Sequence, residues 1–196
     1  MPPWKAELEA HGWILLDGCS SKDTALLLGR ASSATILEPK GFDEARHWSL
    51  SGVYGLGAFP WHTDGAISSS PPRWLLLKAV ELSYPTCTEL LVPDAGLVAS
   101  LYGTILRARD KSGRVKYLPA IMPDQGGGSR LRWDPRTCTP QTGLTIEEVE
   151  KKSPSACVEW VVGRLLVIDN FKLLHRRPAV QGQGRRMLER TYVWDE

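Results

Sequence analysis

The apolar runs of this chain are short. Residues 12–18 (GWILLDG), 74–82 (WLLLKAVEL), 163–170 (GRLLVIDN) and 185–194 (RRMLERTYVW) are seven to ten residues long, and the last alternates apolar and polar side chains. Runs of this length, set between Gly, Pro and Asx residues, suit strands better than buried helices. Helical signals are fewer: a charged stretch at 5–11, a Ser/Asp-initiated Leu cluster at 20–31, a segment from about 95 to 107, and 144–152, where Thr145 and Glu148 have capping-box spacing. Residues 34–58 show no period and are expected to be loop with one or two short strands. RLRWD (130–134) reads as a further strand, and QGGGSR (125–130) reads as a mobile connection that would serve as a lid. At 196 residues the chain fits one domain, 1–196. The expectation is a mainly β fold, an antiparallel barrel or sandwich with peripheral helices.

Charge excludes some partners. The 24 basic and 22 acidic residues are interspersed rather than blocked, which argues against a nucleic-acid groove or a membrane-facing patch and leaves a small-molecule substrate. No apolar stretch reaches bilayer length and the first residues lack a signal-peptide pattern, so a cytoplasmic, reduced setting is expected. Cys19, Cys87, Cys138 and Cys157 form no CxxC pair and read as buried free thiols.

The chemistry concentrates in FPWHTDG (59–65). In an extended segment His62 and Asp64 face the same way while Thr63 faces the other. The chain has four histidines, His11, His47, His62 and His175; the last follows an apolar strand and a DN turn, a place from which an imidazole can be presented at the mouth of a barrel. Two imidazoles and one carboxylate hold Fe(II) with open positions for a co-substrate and O2. An HxD pair alone is a weak signal, more often the mark of a turn histidine beside a solvated aspartate.

WHTDG, TELLVPD, GRLLVIDNFKLLHRR and RRMLER, in that order, resemble the taurine dioxygenase (TauD/TfdA) and clavaminate synthase-like family of Fe(II)/2-oxoglutarate oxygenases; LEAHGWILLDG is similar to that family's first strand. The resemblance covers nearly the whole chain. It implies a double-stranded β-helix (jelly-roll, cupin-like) core, with His62, Asp64 and His175 as both metal ligands and catalytic centre. Arg190, 15 residues after His175, would clamp the distal carboxylate of 2-oxoglutarate, Thr88 would hydrogen-bond it, and Arg186 would take a supporting role. A planar guanidinium suits such a clamp because it grips a carboxylate through two charge-assisted bonds.

The implied reaction consumes 2-oxoglutarate and O2, releases succinate and CO2, and hydroxylates a small polar molecule: an amino acid, a related acid or a natural-product intermediate. Asp64 stands where related halogenases have a small residue, which favours oxidation without halide. Desaturation or cyclisation would use the same cofactor chemistry, and a non-catalytic binding protein on the same barrel is the reading from another class. Arg73, Arg130 and Arg132 are candidate substrate contacts, each with the alternative of an exposed or fringing charge; Asp134 belongs to the same strand. His11 and His47 read as packing residues beside tryptophans, and Asp169-Asn170 reads as a turn-forming Asx pair.

Overall fold

The computed structural model describes residues 2–110, 112–124, 128–180 and 184–195. Strands and helices are numbered in chain order, and every strand pairing is antiparallel. The largest sheet is built from β1 (Trp13–Asp17), β2 (Arg30–Ala31), β3 (Thr35–Leu37), β4 (Trp74–Leu82), β12 (Arg164–Asp169) and β14 (Arg186–Trp194), in the order β1-β12-β4-β14-β2 with β3 also on β14. A second sheet places β5 (Cys87–Leu91) between β11 (Ala156–Glu159) and β13 (Leu174–Arg176). β6 (Ile105–Arg109) lies between β7 (Val115–Pro119) and β10 (Cys138–Thr142), and β8 (Ile121–Pro123) pairs β9 (Ser129–Leu131). The helices are α1 (Pro3–His11), α2 (Ser21–Leu26), α3 (Leu50–Tyr54), α4 (Ala95–Tyr102) and α5 (Ile146–Glu150).

Strand period explains how the central strands serve two cores. In β4, Leu75, Leu77 and Ala79 point inward and pack with Leu166 and Ile168 of β12, Leu90 of β5 and Val158 of β11, so this cluster lies between the large sheet and the second one. Trp74, Leu76, Leu165 and Val167 point to the other face, where Leu8 of α1 and Ala25 of α2 cover them. A strand buried on both faces reads as a continuous apolar run, which is why 74–82 and 163–170 are so conspicuous in the sequence.

The structure departs from the sequence reading in places. The helix beginning at Ala95 ends at Tyr102, with Gly103 as its C-cap, and Ile105–Arg109 is strand β6, with Leu106 and Ala108 buried and Ile105 and Arg109 exposed. In the 130–134 region the strand is Ser129–Leu131. Segment 34–58 holds the short strand β3 as expected, and also helix α3, capped by Ser49 accepting from the Gly52 amide at 3.0 Å. The capping box of α5 forms as read. All four cysteines are free; Cys138 is buried, but Cys157 is exposed because it lies on an outward-facing position of β11. Residues 125–127 of the supposed lid lie outside the described residues. Among the described residues no helix is long and apolar enough to cross a membrane.

Candidate metal centre

His62 and His175 are brought together by backbone pairing. The His62 amide donates to the His175 carbonyl at 3.1 Å and the His175 amide returns the bond at 3.0 Å, an isolated antiparallel bridge on the edge of β13. Directly paired residues present their side chains on one face, and the imidazole centroids are 4.3 Å apart. Thr63 turns away, its amide donating to the Trp133 carbonyl at 2.7 Å and its Oγ1 accepting from the Trp133 amide at 3.1 Å. Asp64 then enters a turn and swings its carboxylate back, so Oδ1 stands 3.8 Å from His62 Nε2. One donor atom from each of His62, Asp64 and His175 lies within 4.8 Å of the others.

The surroundings of the three side chains bear on how they could bind a metal. His62 Nδ1 lies 2.9 Å from the Pro60 carbonyl, which only accepts, so Nδ1 carries a proton and Nε2 is the nitrogen turned toward Asp64. Burial, reinforced by the neighbouring His62, pushes the His175 imidazole down to about 3, leaving it neutral. Burial alone would raise the Asp64 carboxyl, but the adjoining His175 and His62 imidazoles, the Arg190 guanidinium and a hydrogen bond from Tyr192 together hold it below the ordinary carboxylate range. Two imidazoles and an ionised carboxylate are a donor set that fits a divalent ion of the Fe(II) type. The buried Nδ1 of His175 has no hydrogen-bond partner among the described residues.

The Asp64 turn is fixed from a distance. The Asn170 side chain accepts from the Asp64 amide at 2.8 Å through Oδ1, and its Nδ2 donates to the carbonyls of Asp64 and Pro72, both at 2.9 Å. Tyr192 donates its hydroxyl to Asp64 Oδ2 at 2.8 Å. Its own pKa is raised well above the usual value by burial and by the Asp64 charge, so it remains a donor. Asn170 was read from sequence as a turn former, and nothing local in VIDN signals a partner so far away in the chain.

A cavity of about 540 Å³ opens over the triad, within the usual range for small-ligand sites. One wall is the inward face of the large sheet: Leu75 and Leu77 of β4 and Arg186, Leu188, Arg190 and Tyr192 of β14. Thr88 faces it from β5; it is buried, and its hydroxyl accepts from the Trp160 indole at 3.0 Å, leaving its own proton to donate. Arg190 and Arg186 share a strand face but differ in surroundings. Arg190 lies over the Tyr192 ring with a guanidinium nitrogen 3.8 Å from Asp64. Arg186 is 5 % exposed, bonds Thr86 Oγ1 at 3.0 Å, and has no carboxylate within ion-pair distance among the described residues.

The three other arginines singled out from sequence do not line this cavity. Arg73 pairs with Asp195 at 2.9 Å and stacks on Trp74. Arg132 is buried and donates to the carbonyls of Ala66 and Ser68 at 2.7 and 2.8 Å, bracing the turn after Asp64. Arg130 lies over the Phe171 ring. Asp134 does reach the cavity, paired with Arg136 at 2.8 Å.

No protein-family model matches the sequence, and no curated relative is similar enough in sequence to be matched. Solved structures do match the fold. An asparagine oxygenase in complex with Fe(II), 2S,3S-3-hydroxyasparagine and succinate superposes with a TM-score of 0.73 at 17% identity, over 96% of this chain and 77% of that one. A taurine dioxygenase from Burkholderia xenovorans gives 0.68 at 18% identity over 100% and 83%. PvcB, an Fe, alpha-ketoglutarate dependent oxygenase from an isonitrile synthetic pathway, gives 0.67 at 16% identity over 98% and 80%. The chain therefore has the fold of these iron- and 2-oxoglutarate-dependent oxygenases, at an identity that speaks to the fold alone.

Proposed function

We propose that this chain is a non-haem Fe(II)/2-oxoglutarate-dependent oxygenase, its sheets forming a double-stranded β-helix in one domain, that hydroxylates a small polar molecule such as an amino acid, a related acid or a natural-product intermediate. The observation that carries the reading is the convergence of His62 Nε2, the Asp64 carboxylate and His175 at the foot of a cavity that also holds a buried arginine, Arg186, with no carboxylate partner among the described residues.

His62, Asp64 and His175 would hold the metal, which with 2-oxoglutarate and O2 supplies the oxidising chemistry and yields succinate and CO2. The protein positions and shields. The Nδ1 bond to Pro60 aims the His62 lone pair, Asn170 and Tyr192 fix the Asp64 carboxylate, and the leucine-lined sheet face excludes water from the reacting centre.

The distal carboxylate of 2-oxoglutarate is better served by Arg186 than by Arg190, the residue that spacing alone favours. Arg186 is a buried cation with Thr86 as its one described hydrogen-bond partner, and such a charge calls for an anion. Arg190 already faces the Asp64 carboxylate. Thr88 supplies a free hydroxyl proton from β5, facing that wall.

Anaerobic addition of Fe(II) and then 2-oxoglutarate should produce the weak visible charge-transfer band of a chelated keto acid, absent in His62→Ala. No band and no retained iron would overturn the reading. Arg186→Gln should weaken 2-oxoglutarate binding about ten-fold or more, as for the loss of a charged hydrogen bond of roughly 1.5–3 kcal/mol, and Arg190→Gln by less. The reverse order would return the clamp to Arg190.

A further inference from the structure

The outward face of the second sheet carries two thiols side by side. In the antiparallel pairing of β5 with β11, Cys87 stands opposite Glu159 and Cys157 opposite Glu89, with Thr88 opposite Val158 between them. Strand alternation sends Thr88 and Val158 inward, where both are buried, and puts Cys87 and Cys157 on the outer face as diagonal neighbours. The next pair along is closed by the Trp160 amide donating to the Thr86 carbonyl at 2.9 Å, so Cys87 and Glu159 form a pair of the non-hydrogen-bonded kind, in which side chains stand closer. Burial pushes the Cys87 thiol up to about 12, aided by a hydrogen bond with the Cys157 thiol and by its charge. The other two cysteines pack elsewhere, Cys138 in the cluster around Trp133 and Cys19 against the one around Leu76.

The two sulfurs are unequal. Cys157 is exposed and Cys87 half-buried, so an oxidant dissolved in water meets Cys157 first. We propose that Cys87 and Cys157 are a reversible dithiol–disulfide site, oxidised by a hydroperoxide. The Cys157 sulfur attacks the peroxide O–O bond, forming a sulfenic acid and releasing an alcohol, or water when the peroxide is H2O2. The Cys87 sulfur then attacks that of Cys157: the S–S bond forms, the S–O bond breaks, and the hydroxyl leaves with the Cys87 proton as water. The two electrons that reduce the O–O bond come from the two thiols. A sulfenic acid on Cys157 also removes the charge that helps keep Cys87 protonated, at the step where Cys87 becomes the nucleophile.

Diagonal neighbours on a sheet are about 7–8 Å apart, whereas the Cα atoms of a disulfide are usually about 5.5–6 Å apart. Closing the bond therefore draws Cys87 toward β11, and strain of this kind makes a disulfide easier to reduce. Cys87 lies between Thr86, which accepts from Arg186 at 3.0 Å, and Thr88, which lines the cavity; the Arg186 charge already reaches the thiol. Moving Cys87 disturbs both threonines, so oxidation weakens 2-oxoglutarate binding. That effect rests on the oxygenase reading above; the disulfide itself does not.

The test treats the reduced, metal-free, full-length protein with hydrogen peroxide. The intact mass should fall by two hydrogens, the peptide map should join the Cys87 and Cys157 peptides, and dithiothreitol should reverse both changes. In Cys87→Ser, dimedone should trap a sulfenic acid at Cys157; in Cys157→Ser, Cys87 should be labelled far less, and neither variant should form the bridge. A disulfide through Cys19 or Cys138, a bridge between two molecules, or oxidation of Cys157 without a disulfide would each overturn the proposal. Anaerobic titration with Fe(II) and 2-oxoglutarate, read by the visible band, should show the disulfide form binding the co-substrate about five-fold or more weakly than the reduced form, as for one lost hydrogen bond. Equal affinity would overturn the coupling and leave the oxygenase reading standing. Binding by neither form would overturn both, and the mass and peptide map would still decide the disulfide.

Discussion

Asp64 is constrained at nearly every polar atom it has. Asn170 engages its amide and its carbonyl, Tyr192 and Arg190 engage Oδ2, and Oδ1 is left toward His62. A carboxylate oriented in this way offers one oxygen to a metal and keeps the other in the protein's hydrogen-bond network, which pre-organises the site before the ion arrives. Replacing Asn170 by Ala should release the turn and lower Mn(II) affinity by about 10–100-fold, the usual cost of removing a group that orients a ligand. Tyr192→Phe, which removes a single bond, should cost less. An unchanged Mn(II) titration for Asn170→Ala would mean that Arg132, through the Ala66 and Ser68 carbonyls, suffices to hold the turn. That His62, Asp64 and His175 would gather was legible, because HxD and a histidine after an apolar strand are sequence-local patterns. The orienting groups were not, since Asn170 and Tyr192 meet Asp64 across more than a hundred residues. Nor does spacing tell Arg186 from Arg190: residues four apart on a strand share a face, and only tertiary packing makes one a buried unpaired cation and the other a partner of Asp64.

At the scale of elements, the strands with two buried faces were the readable ones. β4, β12 and β14 stand out as apolar or alternating runs, whereas β6, β7 and β10 are partly exposed and carry Arg, Lys, Thr and Gln, so they present no apolar signature. The helical reading of 95–107 overran for the same reason: α4 stops at Tyr102, and the Thr104 hydroxyl, donating to the Ser100 carbonyl at 2.8 Å and accepting from the Leu144 amide at 3.0 Å, turns the chain into β6. The end of β12 carries a testable strain. Asp169 is fully buried; Oδ1 accepts from the Phe171 amide at 3.1 Å, while Oδ2 has no hydrogen-bond partner among the described residues and faces Arg73 at 3.6 Å. Burial pushes its pKa up from 3.8 to about 6. A carboxyl whose folded pKa is raised favours the folded state when protonated, so its contribution is fully present below about 3.8 and is lost as pH rises through about 6. Asp169→Asn does not titrate, and its urea midpoint relative to wild type should therefore climb between about pH 4 and about pH 7. Parallel midpoints across that range would show that Arg73 compensates the charge in full.

Across the whole molecule, the groups at the site come from otherwise separate parts of the chain: the 62–64 turn, Thr88 on β5, Asn170 after β12, His175 on β13, and Arg186, Arg190 and Tyr192 on β14. The large sheet and the second sheet are already joined by the cluster around Leu77, Leu90 and Ile168, and a bound metal would add a tie between the His62–His175 bridge and the β14 wall that holds Asp64 through Tyr192. A ligand that binds only the folded state stabilises it by about 2.7 kcal/mol at a free concentration 100 times its Kd. For a chain of this size each kcal/mol is worth roughly 2–4 °C, so saturating Mn(II) should raise Tm by about 5–10 °C. His62→Ala and His175→Ala should show no such shift, measured by calorimetry at matched protein and metal concentration. A shift that persists in both variants would place the metal elsewhere. The shape of the transition carries independent information: a site tied to both sheets should move the unfolding peak as one, whereas a shoulder that alone responds to Mn(II) would mean that the turn carrying Asp64 melts separately from the sheets behind it.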